Sequence, residues 1–276
     1  MRLTTRRVRT ARARGREPSP NSPANVACGA ICFGLEQWVP SRPTARERSA
    51  LALRDHNIPQ RLLTALLQGT DSLPMKLYYT PGACSLSPHI ALLEAKLPFE
   101  LVKVDLRAKT VGNGEDYRAI NPKGYVPALV MQNGELLTEG AIIVQYIADL
   151  KPEAKLAPPQ GTLDRYRLQE KLHFLATELH KGSSPLYNPN ATPEFKESLK
   201  ERLLLRLGAL ADTLGTQRFL MGDQFTVADG YAYYCLRSLQ GLLGMDLSTW
   251  PNLRQYFAKL SERDTVKAAL KAEGLS

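Results

Sequence analysis

The sequence predicts an α/β plus all-α protein, in which a small α/β domain is followed by an all-helical domain and preceded by a disordered N-terminal extension. Three observations support this prediction. Strand-like and helix-like segments alternate over residues 75–152, helical spacing of apolar residues dominates residues 162–276, and residues 1–74 show no sustained pattern of either kind. A proline-rich stretch over residues 153–161 is the expected linker between the two domains.

The first 74 residues differ from the rest of the chain in charge. They hold twelve Arg, no Lys and five acidic residues, a net charge of +7, whereas the whole chain carries +9 with 36 Lys and Arg against 27 Asp and Glu. Residues 75–276 therefore carry only +2, and we expect neither a nucleic acid nor a membrane as their partner. The Arg-rich start buries too little apolar surface to offset the entropy of ordering, so we expect it to be disordered.

Four interpretations of residues 1–74 stay open: an organelle transit peptide, an Arg-rich nucleic-acid arm, a regulatory extension, or translation that really begins at Met75. The abrupt change in Arg usage, and the position of Met75 directly before the first strand, favour the last. The apolar stretch over residues 26–35 is too short for a membrane helix and follows 25 polar, Arg-rich residues, which fits a signal peptide poorly. We expect a cytoplasmic protein.

The α/β part follows from short segments read in order. Residues 76–80 (KLYYT) predict a strand, a Pro-Gly turn follows, and apolar spacing over 86–96 predicts a helix. A strand is expected over 99–104 and a short helix over 115–119. An Asn-Gly turn then predicts a hairpin between 125–130 and 135–138, and a helix follows to residue 150. The order β-α-β-α-β-β-α is that of a small domain with a mixed sheet.

Cys84 is the first candidate functional residue, because it falls at the junction between the first strand and the first helix. The free N–H groups of a helix N-terminus stabilise an anion, so the pKa of this thiol is expected to be lowered, or the thiol to assist another thiolate. Cys235 lies in an apolar helical run and is expected in the core. Cys28 and Cys32 have no second Cys/His pair nearby, so no metal site is expected.

Residues 75–276 resemble the cytosolic glutathione S-transferases, and in particular their bacterial beta class. The resemblance is carried by residues 75–94 (MKLYYTPGACSLSPHIALLE), 121–129 (NPKGYVPAL), 177–181 (TELHK) and the helix-capping box at 226–229 (TVAD). It implies a thioredoxin-like fold for the α/β domain and a cis peptide bond between Val126 and Pro127. It also implies a homodimer that uses glutathione as co-substrate and needs no other cofactor.

The resemblance also implies the site residues. Cys84 and His180 would be catalytic. Lys109 would bind a glutathione carboxylate and the Val126 backbone would pair with the peptide. The residues expected to contact glutathione are Cys84, Lys109, Val126, Glu139, Gly140, Thr177, His180 and Lys181.

Three positions depart from the family pattern. Gly140 stands where relatives usually carry Ser, so one hydroxyl contact to glutathione is lost, and a backbone N–H near the helix start is its expected substitute. His173 stands where relatives often carry Asn. Tyr125 precedes Val126 at a place where members vary, and it is expected to reshape the rim of the site.

The reaction that the resemblance implies is conjugation of the glutathione thiolate to small hydrophobic electrophiles. Positive charge or a proton route is expected from His180 and Lys181, and the electrophile pocket is expected among Leu179, Leu186, Tyr187 and Tyr231. Two alternatives share the fold. One is glutaredoxin-like thiol-disulfide exchange or peroxide reduction through Cys84, and the other is a non-catalytic ligand-binding module.

Overall fold

The computed structural model describes residues 74–112 and 114–275. The expectations for residues 1–73, including Cys28 and Cys32, lie outside the described residues. No helix in the part described is long and apolar enough to cross a membrane.

Five strands form one mixed sheet in the order β3-β2-β1-β4-β5. The central strand β1 pairs in parallel with β2 and antiparallel with β4, while β2–β3 and β4–β5 are antiparallel pairs. The bounds are β1 Met75–Tyr79, β2 Phe99–Asp105, β3 Thr110–Val111, β4 Ala128–Val130 and β5 Leu136–Thr138. The centre of the sheet is apolar because Leu77 and Leu129 pair there and are both fully buried.

Two helices complete the α/β part. Helix α1 (Leu86–Glu94) follows β1, and helix α2 (Gly140–Leu150) follows β5. Short 3₁₀ turns lie at Tyr117–Ala119 and Pro152–Ala154. The hydrophobic cluster that contains α1 and α2 extends without interruption into the helical part.

The helical part contains five α-helices. Their bounds are α3 Leu163–Phe174, α4 Pro193–Leu214, α5 Val227–Arg237, α6 Pro251–Ser261 and α7 Asp264–Ala272. Helix α3 continues as a π-helix over Leu175–Lys181 and α5 over Ser238–Leu242, and a 3₁₀ turn lies at Ser184–Tyr187. A π-turn widens the helix and shifts the direction of the side chains that follow it.

The predicted capping box at the start of α5 is present. The backbone N–H of Thr226 donates to Asp229 at 2.8 Å, and the same carboxylate accepts from the N–H of Leu220 and the hydroxyl of Tyr256. Asp229 is fully buried, and these contacts compensate for taking its carboxylate out of water. The box therefore fixes the start of the central helix.

The two parts are joined by buried polar contacts as well as by the shared core. Glu273, after α7, accepts from the backbone N–H of Gly82 at 2.9 Å and bonds the ring of His89 at 2.9 Å. Both His89 and Glu273 are shielded from solvent. Arg263 makes a two-pronged contact with Glu94 of α1. The C-terminal segment thereby holds the loop that precedes Cys84.

The structure differs from the sequence prediction in three local features. The two-residue strand β3 and both π-helical segments were not predicted, because two residues show no periodicity and a π-turn leaves no distinct pattern. The hairpin loop spans residues 131–135, and only Gly134 of its Asn-Gly pair has positive φ, at 83°. Ser85 does not cap α1, since its hydroxyl bonds back to the backbone of Thr80.

Candidate active site

Cys84 lies at the mouth of a cleft between the α/β part and the helical part. Its position follows from the short turn between β1 and α1, which ends the strand and starts the helix within six residues. The Sγ atom donates a hydrogen bond to the carbonyl oxygen of Val126 at 3.2 Å. The thiol is only partly exposed.

Burial raises the pKa of the Cys84 thiol to about 11, against the opposing effects of Lys181 and of the backbone N–H groups of Cys84 and Ser85. The prediction of a lowered pKa is therefore wrong for the free protein, because loss of solvation outweighs the helix N-terminus. Of the two roles expected for Cys84, the structure favours the thiol as a hydrogen-bond donor over the thiolate as a nucleophile.

The loop before β4 contains the cis peptide bond between Val126 and Pro127 that the family resemblance implies. Two side chains hold this loop by donating to the carbonyl of Tyr125: the hydroxyl of Tyr117 at 3.1 Å and the amide of Asn121 at 2.7 Å. Val126 itself is buried. Its carbonyl oxygen, the atom that meets Cys84, is thus presented on a rigid support.

Lys109 reaches the same loop from the other side. Its ammonium donates to the carbonyl of Gly124 at 2.7 Å, and its backbone is held with φ at 59° between Asp105 and Tyr117. The structure therefore places Lys109 within two residues of Val126, although the two are far apart in sequence.

Glu139 and Gly140 lie where β5 gives way to α2. Glu139 has φ at 71°, and its carboxylate accepts from the ammonium of Lys123 at 2.8 Å and from the hydroxyl of Tyr125 at 3.4 Å. The hydrogen bond from Lys123 keeps the pKa of Glu139 below its usual value. Lys123 was not among the predicted site residues, because nothing in the sequence indicates that it reaches a residue 16 positions away.

The helical part faces this loop with His180, Lys181 and Tyr231. Nδ1 of His180 lies 2.9 Å from the hydroxyl oxygen of Tyr231, and the ring of Tyr234 meets the imidazole edge-on at 5.1 Å. Burial, followed by the charge of Lys181, lowers the pKa of His180 to about 4. His180 is therefore neutral at pH 7, which corrects the expectation that it adds positive charge.

Lys181 supplies the positive charge of the helical side. Its ammonium lies 5.5 Å from the centre of the Tyr125 ring, and that of Lys123 lies 5.9 Å from the same ring. Lys181 also opposes the rise of the Cys84 pKa, so its charge acts at the position of the sulfur. Tyr125 thus connects the two sides at the rim, where the sequence predicted an altered shape.

Other predicted residues lie apart from this group. The exposed Thr177 donates its hydroxyl to the carbonyl of His173 in its own helix. His173 is exposed and lines a groove between α2 and α3. Of the expected pocket residues, Leu179 is fully buried in the core, whereas the hydroxyl of Tyr187 is half exposed and bonds Ser238 at 2.5 Å. Cys235 is buried, as expected.

Among the residues that the structure describes, no three His, Cys, Asp or Glu side chains are grouped so that they could hold a metal ion. The cleft instead offers a protonated thiol, an exposed ammonium, a rigid backbone carbonyl and the N-termini of two helices. Such a combination suits a peptide-like ligand that carries a thiol and charged ends.

Two family models match the chain. The model described as "Glutathione S-transferase, N-terminal domain" matches residues 82–150, and the one described as "Glutathione S-transferase, C-terminal domain" matches residues 174–264. Among curated proteins, glutathione S-transferase GstA of Escherichia coli O157:H7 is 42% identical over 201 residues, which are 73% of this chain and 100% of the relative.

Solved structures give the same result. BphK, described as a bacterial glutathione S-transferase in a ternary complex, is 50% identical with a TM-score of 0.71, over 72% of this chain and all of its own. A bacterial beta-class glutathione S-transferase of Sphingomonas chungbukensis is 46% identical with a TM-score of 0.70, over 73% of this chain and all of its own. The fold, the cis-proline loop and these matches agree, and the chain belongs to the glutathione S-transferase family, with bacterial beta-class enzymes among its structural neighbours.

Proposed function

We propose that this protein conjugates the glutathione thiolate to small hydrophobic electrophiles. The observation that carries the proposal is the environment of Cys84, where a protonated thiol, two backbone N–H groups and the charge of Lys181 meet. A thiolate brought to this place would receive a hydrogen bond from Cys84 and a favourable charge from Lys181. The site would thus lower the pKa of the glutathione thiol rather than that of its own cysteine.

Glutathione would lie along the α/β side of the cleft. The Val126 backbone would pair with its cysteinyl peptide group, and Lys109 would bind one of its carboxylates. Glu139 would receive the ligand's ammonium, and the N-terminus of α2 at Gly140 would receive the neighbouring carboxylate. Cys84 would release Val126 and turn toward the ligand's sulfur.

In the chemical step, the glutathione sulfur forms a bond to the electrophilic carbon, and the leaving group departs with its electron pair. The thiol proton has left for solvent before this step. Residues of the helical side, such as Tyr187 and Tyr231, would line the space for the electrophile. Holding both reactants in the cleft converts a bimolecular reaction into a nearly unimolecular one.

The variant Cys84→Ala tests this proposal against its two alternatives, with an aryl halide as electrophile. We expect conjugation to fall by about tenfold, as befits the loss of one hydrogen bond to a charged group. Complete loss of thiol exchange with conjugation absent in the wild type would support a glutaredoxin-like enzyme instead. Unchanged glutathione binding without any turnover in the wild type would support a binding module.

Cys235→Ala is the matched control, because it removes a second thiol that is buried away from the cleft mouth. We expect it to conserve the conjugation rate while lowering stability. A loss of conjugation equal to that of Cys84→Ala would argue against a special role for Cys84.

We also propose that the protein forms a homodimer. The groove of about 540 Å³ between α2 and α3 includes the half-exposed Ile142, and two further exposed apolar residues, Leu163 and Tyr166, lie on the first turns of α3. Apolar side chains exposed along adjoining helices are typical of a surface that another subunit covers. Light scattering would measure the oligomeric state.

The remaining expectations are proposals of the same kind. The domain boundaries at residues 75–152, 153–161 and 162–276 agree with the change from mixed sheet to helices. A cytoplasmic location and the absence of nucleic-acid and membrane partners continue to rest on the composition of residues 75–276.

A further inference from the structure

The hydroxyl of Tyr231 has a position that the proposed function does not yet use. It lies 2.9 Å from Nδ1 of His180, and a methyl group added to Gly140 would lie 3.8 Å from it. Tyr231 is 97% buried, since only 3% of its surface is exposed. This one hydroxyl therefore meets both the histidine of the helical part and the first residue of α2.

The direction of the hydrogen bond between Tyr231 and His180 decides which tautomer His180 adopts. Both groups are neutral at pH 7, because burial raises the pKa of Tyr231 far above neutrality and lowers that of His180 to about 4. A phenol is a better donor than a neutral imidazole N–H, and an imidazole nitrogen is a better acceptor than a phenol oxygen. The Tyr231 O–H therefore donates to Nδ1.

When Nδ1 accepts, the ring proton of a neutral histidine must be on Nε2. Within the described part of the chain Nε2 has no hydrogen-bond partner, so this nitrogen is the one through which His180 can act on a ligand. The charged groups that act on the ring are Lys181 and Glu139, of opposite sign.

We propose that Tyr231 is a positioning residue that fixes His180 as the tautomer protonated at Nε2, so that His180 serves the bound glutathione sulfur as a neutral hydrogen-bond donor. The inference rests on the proposed function, because it names the task of His180 in the same cleft. It assigns His180 no proton transfer. The imidazole keeps its Nε2 proton throughout, and the negative charge on sulfur is stabilised by that N–H together with the thiol of Cys84.

The tautomer can be measured without any turnover. Nitrogen-15 NMR of histidine-labelled protein at pH 7 distinguishes a protonated ring nitrogen from an unprotonated one. We expect wild-type His180 to show a protonated Nε2 and an unprotonated, hydrogen-bonded Nδ1. The Tyr231→Phe variant should lose that hydrogen bond and show a mixture of both tautomers.

Tyr234→Phe is the matched control. Its ring also contacts His180 and is also buried, but its hydroxyl makes no hydrogen bond to the imidazole among the described residues. We expect the His180 spectrum of this variant to match that of the wild type. If Tyr234→Phe instead mixes the tautomers as strongly as Tyr231→Phe, packing of the rings and not the Tyr231 hydroxyl fixes His180, and the proposal is overturned.

Kinetics give a second measurement. Loss of one neutral hydrogen bond that orients His180 should lower kcat by about 2- to 10-fold in Tyr231→Phe. The KM for glutathione should stay within about twofold, and the ultraviolet titration of the bound thiol should shift to higher pH. A change in KM with kcat unaltered would show that Tyr231 acts in ground-state binding and would overturn the positioning role.

The two proposals can fail separately. A wild-type spectrum with the proton on Nδ1 overturns the role of Tyr231 even if the protein conjugates glutathione efficiently. Absence of conjugation in the wild type overturns the proposed function, and the same result removes the task assigned here to His180 even where its tautomer is as expected.

Discussion

The two sides of the cleft differ in what they offer a ligand. The α/β side presents backbone groups and charged side chains that are partly or fully in contact with solvent, namely the Val126 carbonyl, Lys109 and Glu139. The helical side presents a buried cluster of neutral rings around His180, and Lys181 at the rim is its charged member.

This difference has a physical cause. Strand ends and helix starts expose backbone polar groups that are geometrically fixed, so the α/β side suits a ligand of constant structure. The helical side is built from side chains on α3 and α5, which burial has made neutral. Rings with hydroxyl groups suit a second ligand whose structure varies, and their identities can change without altering the backbone. The comparison indicates that glutathione and the electrophile are recognised by different kinds of groups.

The largest expected effect comes from separating the two sides at Glu273. In Glu273→Ala, the backbone N–H of Gly82 and the ring of His89 lose their buried partner, and we expect the free energy of unfolding to fall by about 3–5 kcal/mol. Conjugation should fall as well, because the loop before Cys84 loses its support. Urea unfolding and the conjugation rate measure the two effects.

Glu170→Ala is the control for this change, since Glu170 forms an exposed ion pair with Arg167 in α3. We expect it to change the free energy of unfolding by less than about 0.5 kcal/mol. Similar losses in the two variants would mean that the buried contact contributes no more than a surface pair.

A smaller effect is expected from pH on the helical side. The folded pKa of His180, about 4, lies below the model value of 6.5, so the unfolded chain takes up a proton first as pH falls. Stability from this group is complete above pH 6.5 and is lost as pH falls toward 4. The loss reaches about 2 kcal/mol at pH 5.

The contribution of His180 is isolated by comparing wild type with His180→Gln in urea at pH 7 and pH 5. The wild type should lose more stability than the variant over this interval. Equal losses would show that the imidazole is as easily protonated in the folded protein as in the unfolded chain, which would contradict its neutral, buried state.

The smallest expected effect is on the α/β side, at Gly140. A side chain fits there without strain, because a methyl group would lie 3.6 Å from Pro127 and 3.8 Å from the Tyr231 hydroxyl. Gly140→Ser should lower the KM for glutathione by about 2- to 3-fold, since its hydroxyl adds one hydrogen bond near the ligand's carboxylate. Steady-state kinetics with varied glutathione measure the change.

Gly140→Ala separates the hydroxyl from the methyl group. Both variants should gain up to about 0.5 kcal/mol of stability from the less flexible unfolded chain, but only Ser should lower KM. A rise in KM for both would show that the ligand needs the space that glycine leaves open.

Local patterns were sufficient to predict most of the fold. The fold class and the family are confirmed, and four of the five strands, α1, α2 and the capping box lie close to where the sequence placed them. The short strand β3 and the π-helix before Gly182 could not be predicted. Both depend on packing against elements that are distant in sequence, and neither has a periodicity of its own.

The site was only partly predictable for the same reason. Motif similarity indicated Cys84 and His180, and the position of Cys84 at a helix start suggested a lowered pKa. The structure reverses that sign because the domains close over the thiol, and a sequence contains no measure of burial. Lys123 and Tyr231 were missed as partners of Glu139 and His180, since they lie 16 and 51 residues away from them.

The sequence by itself determined where the α/β part and the helices lie, and which residue types are available to a glutathione site, because periodicity, caps and turns are local properties of the chain. The tertiary structure alone decided the protonation states and the partners within the cleft. Desolvation and hydrogen bonding depend on which surfaces meet when the two parts pack together. That meeting leaves Cys84 a thiol, makes His180 a neutral imidazole and brings the Tyr231 hydroxyl within 2.9 Å of it.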